Sequence, residues 1–219
     1  MTTNSSSLNS SFHAYISKLR WIKRWGLKRN SVEENVMEHS WEVSVIAHSL
    51  ALINNRYYNG TLDANAIATA ALYHDASEVL TGDLPTPIKY HSPSILTAYR
   101  QIEHQAELEL LNLLPEKLRN DFRPLLIHDE MPEDHARIIK AADRISAYLK
   151  CQLELKAGNQ EFISASVRLT KDIKENAGPE TLFFMQHFVP NCGLTLDDLI
   201  LATHHQIAPP APIDPIIIG

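Results

Sequence analysis

One segment, residues 64–87, restricts the fold more than any other because it predicts a helix that ends in chemically active side chains. Its apolar residues lie on adjoining turns of one helical face: Ile67, Ala70, Ala71 and Leu72. His74 and Asp75 follow directly, and Glu78 comes one turn after His74, so we expect His74 and Glu78 to face the same cleft. A glycine and two prolines then end the helix. This pattern is typical of a metal site or an acid–base site.

The rest of the chain predicts one helix after another, without an alternating strand pattern. Apolar residues recur at helical spacing in these further segments: 12–25, 34–54, 92–114, 116–128, 132–156, 160–175 and 180–188. A last short helix is predicted to be capped by Thr195. A chain of 219 residues suits one core, so we expect an all-α, single-domain helical bundle over residues 12–203. Residues 1–11 are expected to be a flexible N-terminal tail, and residues 204–219 a proline-rich C-terminal tail.

Composition excludes several classes of partner and location. The formal net charge is −6, which provides no basic surface for a nucleic-acid polymer, although single nucleotides remain suitable ligands. Residues 1–11 are polar and serine-rich, which is not the pattern expected of a secretory signal, and no run approaches the roughly 18 apolar residues that span a membrane. The cationic helix at 12–25 is interpreted as packing on the domain rather than on a membrane. Cys151 and Cys192 fit neither a disulfide framework nor a thiolate zinc site, which favours a cytoplasmic location.

Two further polar residues interrupt predicted apolar helix faces. His39 precedes Val43 by four residues and Ile46 by seven, so its imidazole is expected to point inward, where it needs a partner. A core histidine bonded to a carbonyl is one interpretation, and a metal ligand is the other. Asp143 lies beside an equally apolar stripe, and a buried carboxylate there requires a metal ion or an ion pair with Arg144 or another cation.

Taken together, His39, His74, Asp75 and Asp143 form a mixed nitrogen and oxygen set. Such a set suits a divalent transition ion: Mn, Fe, Co, Ni or Zn. A water bound to that ion becomes acidic enough to act as a nucleophile near neutral pH, and Glu78 is placed to orient it or to exchange a proton. By contrast, the acidic residues of the predicted helix at 92–114 are interpreted as a solvated face: Glu103, Glu107 and Glu109.

The order His, His-Asp, Asp resembles the HD-domain superfamily of metal-dependent phosphohydrolases, which are all-helical. Four segments look more closely like the bacterial 5′-deoxynucleotidases of that superfamily: Arg24-Trp25, residues 34–40, residues 73–87 and residues 141–143. The similarity extends from about Phe12 to Leu199, and residues 73–87 are its most specific part.

The resemblance implies hydrolysis of deoxyribonucleoside 5′-monophosphates to deoxynucleoside and phosphate by attack of a metal-bound water on phosphorus. It implies selectivity for deoxyribose over ribose, breadth in base, a cytoplasmic homodimer, and one divalent ion per chain. Co²⁺ or Mn²⁺ is expected, with Zn²⁺, Ni²⁺, Cu²⁺ and Fe²⁺ as further candidates. Four further histidines are available for a second metal ion, but none lies in a matching motif: His48, His104, His128 and His135.

Roles transfer residue by residue from the same resemblance. The metal-ligand positions are matched by His39, His74, Asp75 and Asp143. Glu78 matches the catalytic carboxylate, Arg24 the catalytic arginine that orients the phosphate, and Trp25 the residue packed against the sugar. The substrate-binding positions are matched by Arg24, Trp25, His39, Asp75, Asp83, Leu84, Pro85, Thr86 and Asp143.

Two alternatives remain open from the sequence. Another HD activity, on nucleoside triphosphates or on cyclic or hyperphosphorylated nucleotides, would need more basic residues than Arg24, Lys89 and Arg144 near the motifs. A non-catalytic nucleotide sensor would use the metal for binding only. Glu78 argues against a sensor, which has no need of a carboxylate one turn from a ligand.

Overall fold

Helices build the protein, which is described by a computed structural model over residues 9–207. The α-helices are α1 (Phe12–Ile16), α2 (Val36–Tyr57), α3 (Ala64–Tyr73), α4 (Glu78–Thr81), α5 (Thr86–Lys89), α6 (Pro93–Asn112), α7 (Glu116–Leu126), α8 (Glu133–Lys156), α9 (Ile163–Asn176), α10 (Pro179–His187), α11 (Val189–Cys192) and α12 (Leu196–Ile207). Short 3₁₀ segments lie at Ser17–Trp21, His128–Glu130 and Gln160–Phe162. The all-α prediction is confirmed, since the described residues contain one isolated bridge and no strand.

Side-chain caps explain where several helices begin. Asp63 accepts a hydrogen bond from the Ala66 amide at 2.9 Å, and Ser92 caps α6 in the same way. Thr195 caps α12, as predicted. Asn35 and Glu38 form a reciprocal capping box at the start of α2, which satisfies two amides that lack partners within the helix.

The predicted helix at 12–25 is wrong beyond Trp21. The chain leaves the helical path there because backbone pairing with a later segment replaces the local bonds: the Arg24 amide donates to the Glu34 carbonyl at 3.0 Å. Trp25 adopts a left-handed φ of 61°, which is uncommon for a non-glycine residue. Arg24 and Trp25 therefore lie on an irregular segment, residues 22–35, rather than at a helix end.

The main core lies between α2, α3, α8 and α10. Its fully buried members include Val43, Leu50, Ile67, Ala142 and Ile145. A second cluster joins α1 to α6 and α7, and a third packs Cys151 and Phe162 against Ala165. His39 and Asp143 lie on α2 and α8, and His74 directly follows α3, so packing of these helices in the main core fixes the relative positions of the three residues.

The predicted terminal tails fall largely beyond the structural description. Residues 1–8 and 208–219 lie outside the described residues, and α12 continues to Ile207, past the expected boundary at 203. Within residues 9–207, none of the helices combines the length and apolar character needed to cross a membrane.

Candidate active site

Four of the predicted polar residues converge where α2, α8 and the end of α3 meet. Ligand atoms of His39, His74 and Asp143 all lie within 4.8 Å of one another. Asp75 Oδ2 lies 3.6 Å from His39 Nε2 and 3.1 Å from His74 Nε2. His39 Nε2 is in turn 3.3 Å from Asp143 Oδ1. The two imidazoles and two carboxylates thus surround one point.

The chain near His74 is not the continuous helix that the spacing predicts. Helix α3 ends at Tyr73, residues 74–77 form a turn, and α4 starts at Glu78. The turn is tightened by i to i+3 bonds, such as that from the Glu78 amide to the Asp75 carbonyl at 3.1 Å. His74 and Glu78 nevertheless line the same cavity, so the expectation of a shared cleft holds although its helical basis was wrong.

Hydrogen bonds to the far nitrogen of each imidazole fix its tautomer. His74 Nδ1 lies 2.8 Å from the Ala71 carbonyl oxygen, which can only accept, so Nδ1 carries the proton. His39 Nδ1 lies 3.1 Å from Ser146 Oγ, whose hydroxyl donates to Glu42 at 2.5 Å. Ser146 therefore accepts from His39 Nδ1–H. The partner of His39 is a serine hydroxyl rather than the carbonyl of the alternative interpretation.

These tautomers leave both Nε2 lone pairs pointing at the cluster. His39 Nε2 and His74 Nε2 are buried and have no hydrogen-bond partner among the described residues. Buried polar atoms without partners are rare and call for a ligand or an ion. Two imidazole nitrogens with carboxylate oxygens beside them suit a divalent transition ion, and the hydrogen bonds behind the rings are those that orient metal-bound histidines.

The electrostatics of the cluster favour ionised carboxylates. Burial opposes ionisation, but His74, His39 and Arg24 together hold the pKa of Asp75 well below its ordinary value. The pKa of Asp143 is likewise lowered, because Lys140 and His39 outweigh the effect of burial. Although burial alone would lower it, the pKa of His74 is raised by Asp75. The site thus concentrates negative charge that a bound cation would offset.

The pKa of Glu78 is shifted in the opposite direction to the pKa values of Asp75 and Asp143. Burial, together with the charges of Asp75 and Asp83, raises the pKa of its carboxyl group to about 10 in the protein without a metal ion. Its Oε2 atom is buried and lacks a hydrogen-bond partner within the described residues. A carboxyl group with a raised pKa beside the cluster has the character of a general acid or base.

Arg24 and Trp25 lie behind the cluster rather than in its open cavity. Arg24 Nε is 2.7 Å from Glu34 Oε1, its Nη1 is 3.4 Å from Asp75 Oδ2, and its side chain is 12% exposed. Trp25 packs against Phe162 with ring centroids 5.2 Å apart. Burial raises the pKa of the Asp83 carboxyl group, and the positive charge of Arg24 partly counteracts this rise.

A cavity of about 540 Å³ opens from the cluster. Its lining includes His74, Asp75, Glu78 and Asp143 from the predicted site. The remaining predicted residues are outside that lining: Arg24, Trp25, His39, Asp83, Leu84, Pro85 and Thr86. The cavity therefore contains Glu78 and three of the four expected metal-ligand residues, while His39 and the predicted sugar-binding residues lie outside its lining.

Several residues on the opposite wall were missed or misjudged from the sequence. Glu107 is 9% exposed and Glu103 pairs with Lys89 at 2.8 Å, so the interpretation of a solvated acidic face is wrong for both, while Glu109 is exposed. The cause is the register of α6, which orients Glu103 and Glu107 towards the cavity. His104 and His128 line the same space, although no motif indicated them.

The cation paired with Asp143 is Lys140 rather than Arg144. Lys140 Nζ lies 2.6 Å from Asp143 Oδ2, whereas Arg144 pairs with Asp172 at 2.6 Å. Residues three apart face the same side of a helix, whereas adjacent residues do not. The three-residue spacing between Lys140 and Asp143 was therefore the sequence feature that could have predicted this ion pair.

Comparison with known proteins gives a consistent family and fold. A family model described as "5′-deoxynucleotidase YfbR-like" matches residues 11–192. A 5′-deoxynucleotidase of Yersinia pestis (strain Pestoides F) is 50% identical over 192 residues, which cover 88% of this chain and 98% of that relative. A 5′-deoxynucleotidase of Yersinia pseudotuberculosis serotype O:3 (strain YPIII) matches to the same extent.

Solved structures share the fold at lower identity. An HD-domain phosphohydrolase from Listeria innocua aligns with a TM-score of 0.71 at 21% identity, over 90% of this chain and 98% of that one. The cyanophage S-2L HD phosphohydrolase, bound to dA and one catalytic Zn²⁺ ion, aligns with a TM-score of 0.56 at 17% identity, over 81% of this chain and 96% of that one. The predicted HD-domain helical bundle is confirmed.

Proposed function

Because this chain belongs to the YfbR-like 5′-deoxynucleotidase family and is a phosphohydrolase, we propose that it hydrolyses deoxyribonucleoside 5′-monophosphates to deoxynucleoside and phosphate. We propose further that it is selective for deoxyribose and broad in base. One observation supports the chemistry: the buried Nε2 atoms of His39 and His74 face the carboxylates of Asp75 and Asp143, and neither nitrogen has a hydrogen-bond partner within residues 9–207.

These four residues would hold one divalent transition ion, with Co²⁺ or Mn²⁺ as the first candidates. The ion, when bound, lowers the pKa of a coordinated water and attracts phosphate oxygens, which supplies a nucleophile near neutral pH. The protein contributes rigid ligand positions, because His39 and Asp143 lie on helices that share the main core. It also keeps both imidazoles in the tautomer that binds through Nε2.

Glu78 is proposed as the catalytic carboxylate. Burial and the charges of Asp75 and Asp83 raise its pKa, so the group can hold a proton, and its position on the cavity wall keeps it beside the ligands. It would accept a proton from the attacking water or donate one to the departing 5′-oxygen of the nucleoside. Acceptance removes the positive charge that develops on the attacking oxygen as its bond to phosphorus forms, and donation neutralises the 5′-oxygen as its bond to phosphorus breaks.

Arg24 and Trp25 are proposed to orient phosphate and sugar. Arg24 is held in place by Glu34, and its other side reaches Asp75, so its charge is directed at the cluster. Trp25 is proposed to exclude a 2′-hydroxyl by occupying its space with an apolar ring. The segment Asp83–Thr86 is also proposed to bind the substrate, since Asp83 lies close enough to Arg24 for their charges to interact.

The test measures phosphate release from dAMP and from AMP with chelated protein resupplied with Co²⁺, Mn²⁺ or Mg²⁺. We expect metal-dependent release from dAMP and little from AMP, with dGMP, dCMP and dTMP also cleaved. Equal rates with dAMP and AMP would remove sugar selection but retain the hydrolase. Faster release from dATP than from dAMP, or none from any substrate, would contradict the proposed reaction.

A homodimer and a cytoplasmic location are also proposed. An exposed apolar stripe on α2 supports self-association, since Trp41, Val45 and Leu52 are 64%, 48% and 42% exposed. Both cysteines are free, which is compatible with a reducing compartment. Sedimentation analysis should give twice the chain mass, and Trp41→Glu should reduce it to one chain mass. A monomeric wild-type protein would contradict the dimer.

A further inference from the structure

We propose that Lys140 binds the phosphate group of the substrate, and so supplies a cation that the sequence motifs do not indicate. This inference rests on the proposed function, because it assumes that the ligand is a phosphomonoester. Lys140 lies on α8 three residues before Asp143 and lines the same cavity as His74, Asp75 and Glu78.

The charge around the cluster requires another cation. A phosphomonoester carries about two negative charges near neutral pH, and the site already contains the carboxylates of Asp75, Asp143, Glu34 and Asp83. A divalent ion would offset only the two carboxylates that bind it. Arg24 is 2.7 Å from one carboxylate and 3.4 Å from another, so much of its charge is already offset. A dianion would be repelled unless further positive charge faces the cavity.

Lys140 meets this requirement better than Arg24 does. Its side chain is 60% exposed and on the cavity wall, whereas that of Arg24 is 12% exposed and outside the lining. Lys89 and Arg100 also line the cavity, but Lys89 is paired with Glu103 at 2.8 Å, and Arg100 lies on α6, away from the helix that carries Asp143. Among the lysines and arginines of the cavity lining, Lys140 is the one that forms an ion pair with a proposed metal ligand in the described part of the chain.

The contact with Asp143 positions the ammonium group of Lys140 and still leaves some of its N–H donors free. Lys140 Nζ contacts Oδ2 of Asp143, while Oδ1 faces His39 Nε2. The two oxygens can therefore serve the lysine and a metal ion at the same time. An ammonium group has three N–H donors, so a bond to Oδ2 leaves others for phosphate oxygens. Lys140 thus keeps N–H donors available for a phosphate group that enters the cavity.

The experiment uses the full chain loaded with Co²⁺ and measures inorganic phosphate binding by calorimetry and metal content by elemental analysis. Lys140→Met should weaken phosphate binding by roughly 10- to 100-fold, the usual value of a charge-assisted hydrogen bond, while retaining the metal. Lys140→Arg should restore at least part of the loss. Arg144→Met is the matched control, because it removes a cation from the same helix outside the cavity, and it should bind phosphate within about twofold of wild type.

Other outcomes overturn the inference. Phosphate affinity within twofold of wild type in Lys140→Met would show that Lys140 does not bind phosphate. A loss of affinity that only follows loss of metal would make Lys140 a support for Asp143 instead. Lys140→Gln gives the same comparison if the methionine variant does not fold. Phosphate binding does not depend on which nucleotide is hydrolysed, so failure of dAMP turnover would contradict the proposed function and leave this inference standing.

Discussion

Nδ1 of His39 lies 3.1 Å from Oγ of Ser146, a residue on another helix and 107 positions later in the chain. Ser146 is fully buried and donates its own hydroxyl proton to Glu42. The direction of the second bond determines the first, so His39 must donate through Nδ1. A single serine thus decides which nitrogen of His39 faces the cluster.

Ser146→Ala should weaken metal binding by about tenfold, because Nδ1 of His39 loses the acceptor that keeps its proton on the far side of the ring. The measurement is a competition titration with a chelator of known affinity. Ser164→Ala, at an exposed position on α9, is the control and should bind metal like the wild type. Unchanged affinity in Ser146→Ala would mean that the ring is oriented by packing alone.

Glu78→Gln should reduce kcat by at least about 100-fold while the metal content stays the same, since the variant keeps the shape of the side chain but cannot exchange a proton. Steady-state phosphate release and elemental analysis on the same preparation measure both quantities. Glu109→Gln, exposed on α6, is the control. Full turnover in Glu78→Gln would assign the proton transfer to another group.

Removal of the metal should lower the melting temperature. An ion that binds only the folded state at about 100 times its dissociation constant adds roughly 3 kcal/mol, which corresponds to about 5–10 °C for a chain of this size. Differential scanning calorimetry with and without chelator measures the shift. Elemental analysis should find about one equivalent per chain, and two tightly bound equivalents would contradict a single site.

The segment that carries Arg24 and Trp25 is attached to α8 by one buried carboxylate. Glu154 accepts the backbone amides of Ser31 at 2.8 Å and Val32 at 3.1 Å. Its remaining bonds come from Lys150 at 2.5 Å and Asn159 at 2.8 Å. Burial opposes ionisation of Glu154, but these donors lower its pKa to about 2.

Glu154→Gln should destabilise the protein by about 2–3 kcal/mol, because it leaves Lys150 buried without a charged partner. A lowered pKa stabilises the fold above the ordinary value of 4.5, and this stability is lost as pH falls towards 2. Urea denaturation across that pH range should show a shallower acid dependence in the variant. Glu175→Gln, 60% exposed and 3.8 Å from Lys171, should change stability by less than about 0.5 kcal/mol. Equal stability of both variants would contradict the role of Glu154.

The inward positions of His39 and Asp143 were predictable because helical spacing constrains them, whereas their role as metal ligands stays a prediction. His39 and Asp143 interrupt apolar stripes, and a polar group on such a face needs a partner wherever the helix packs. The path of residues 22–35 was not predictable, since pairing of Arg24 with Glu34 depends on contacts that local periodicity does not encode. The burial of Glu107 was missed for a related reason: charge suggests exposure, whereas the register of α6 follows from packing.

Trp25→Gly should lower the preference for dAMP over AMP by about tenfold, because it removes the ring proposed to fill the space of a 2′-hydroxyl. Glycine suits this position, since Trp25 has a φ of 61°, so the variant relieves backbone strain while it loses the contact with Phe162. Trp25→Phe is the matched control, because it keeps an aromatic ring and should retain most of the preference. The measurement is kcat/KM for both nucleotides under the same metal concentration. An unchanged ratio in Trp25→Gly would place sugar selection elsewhere, with Asp83 and Thr86 as the next residues to replace.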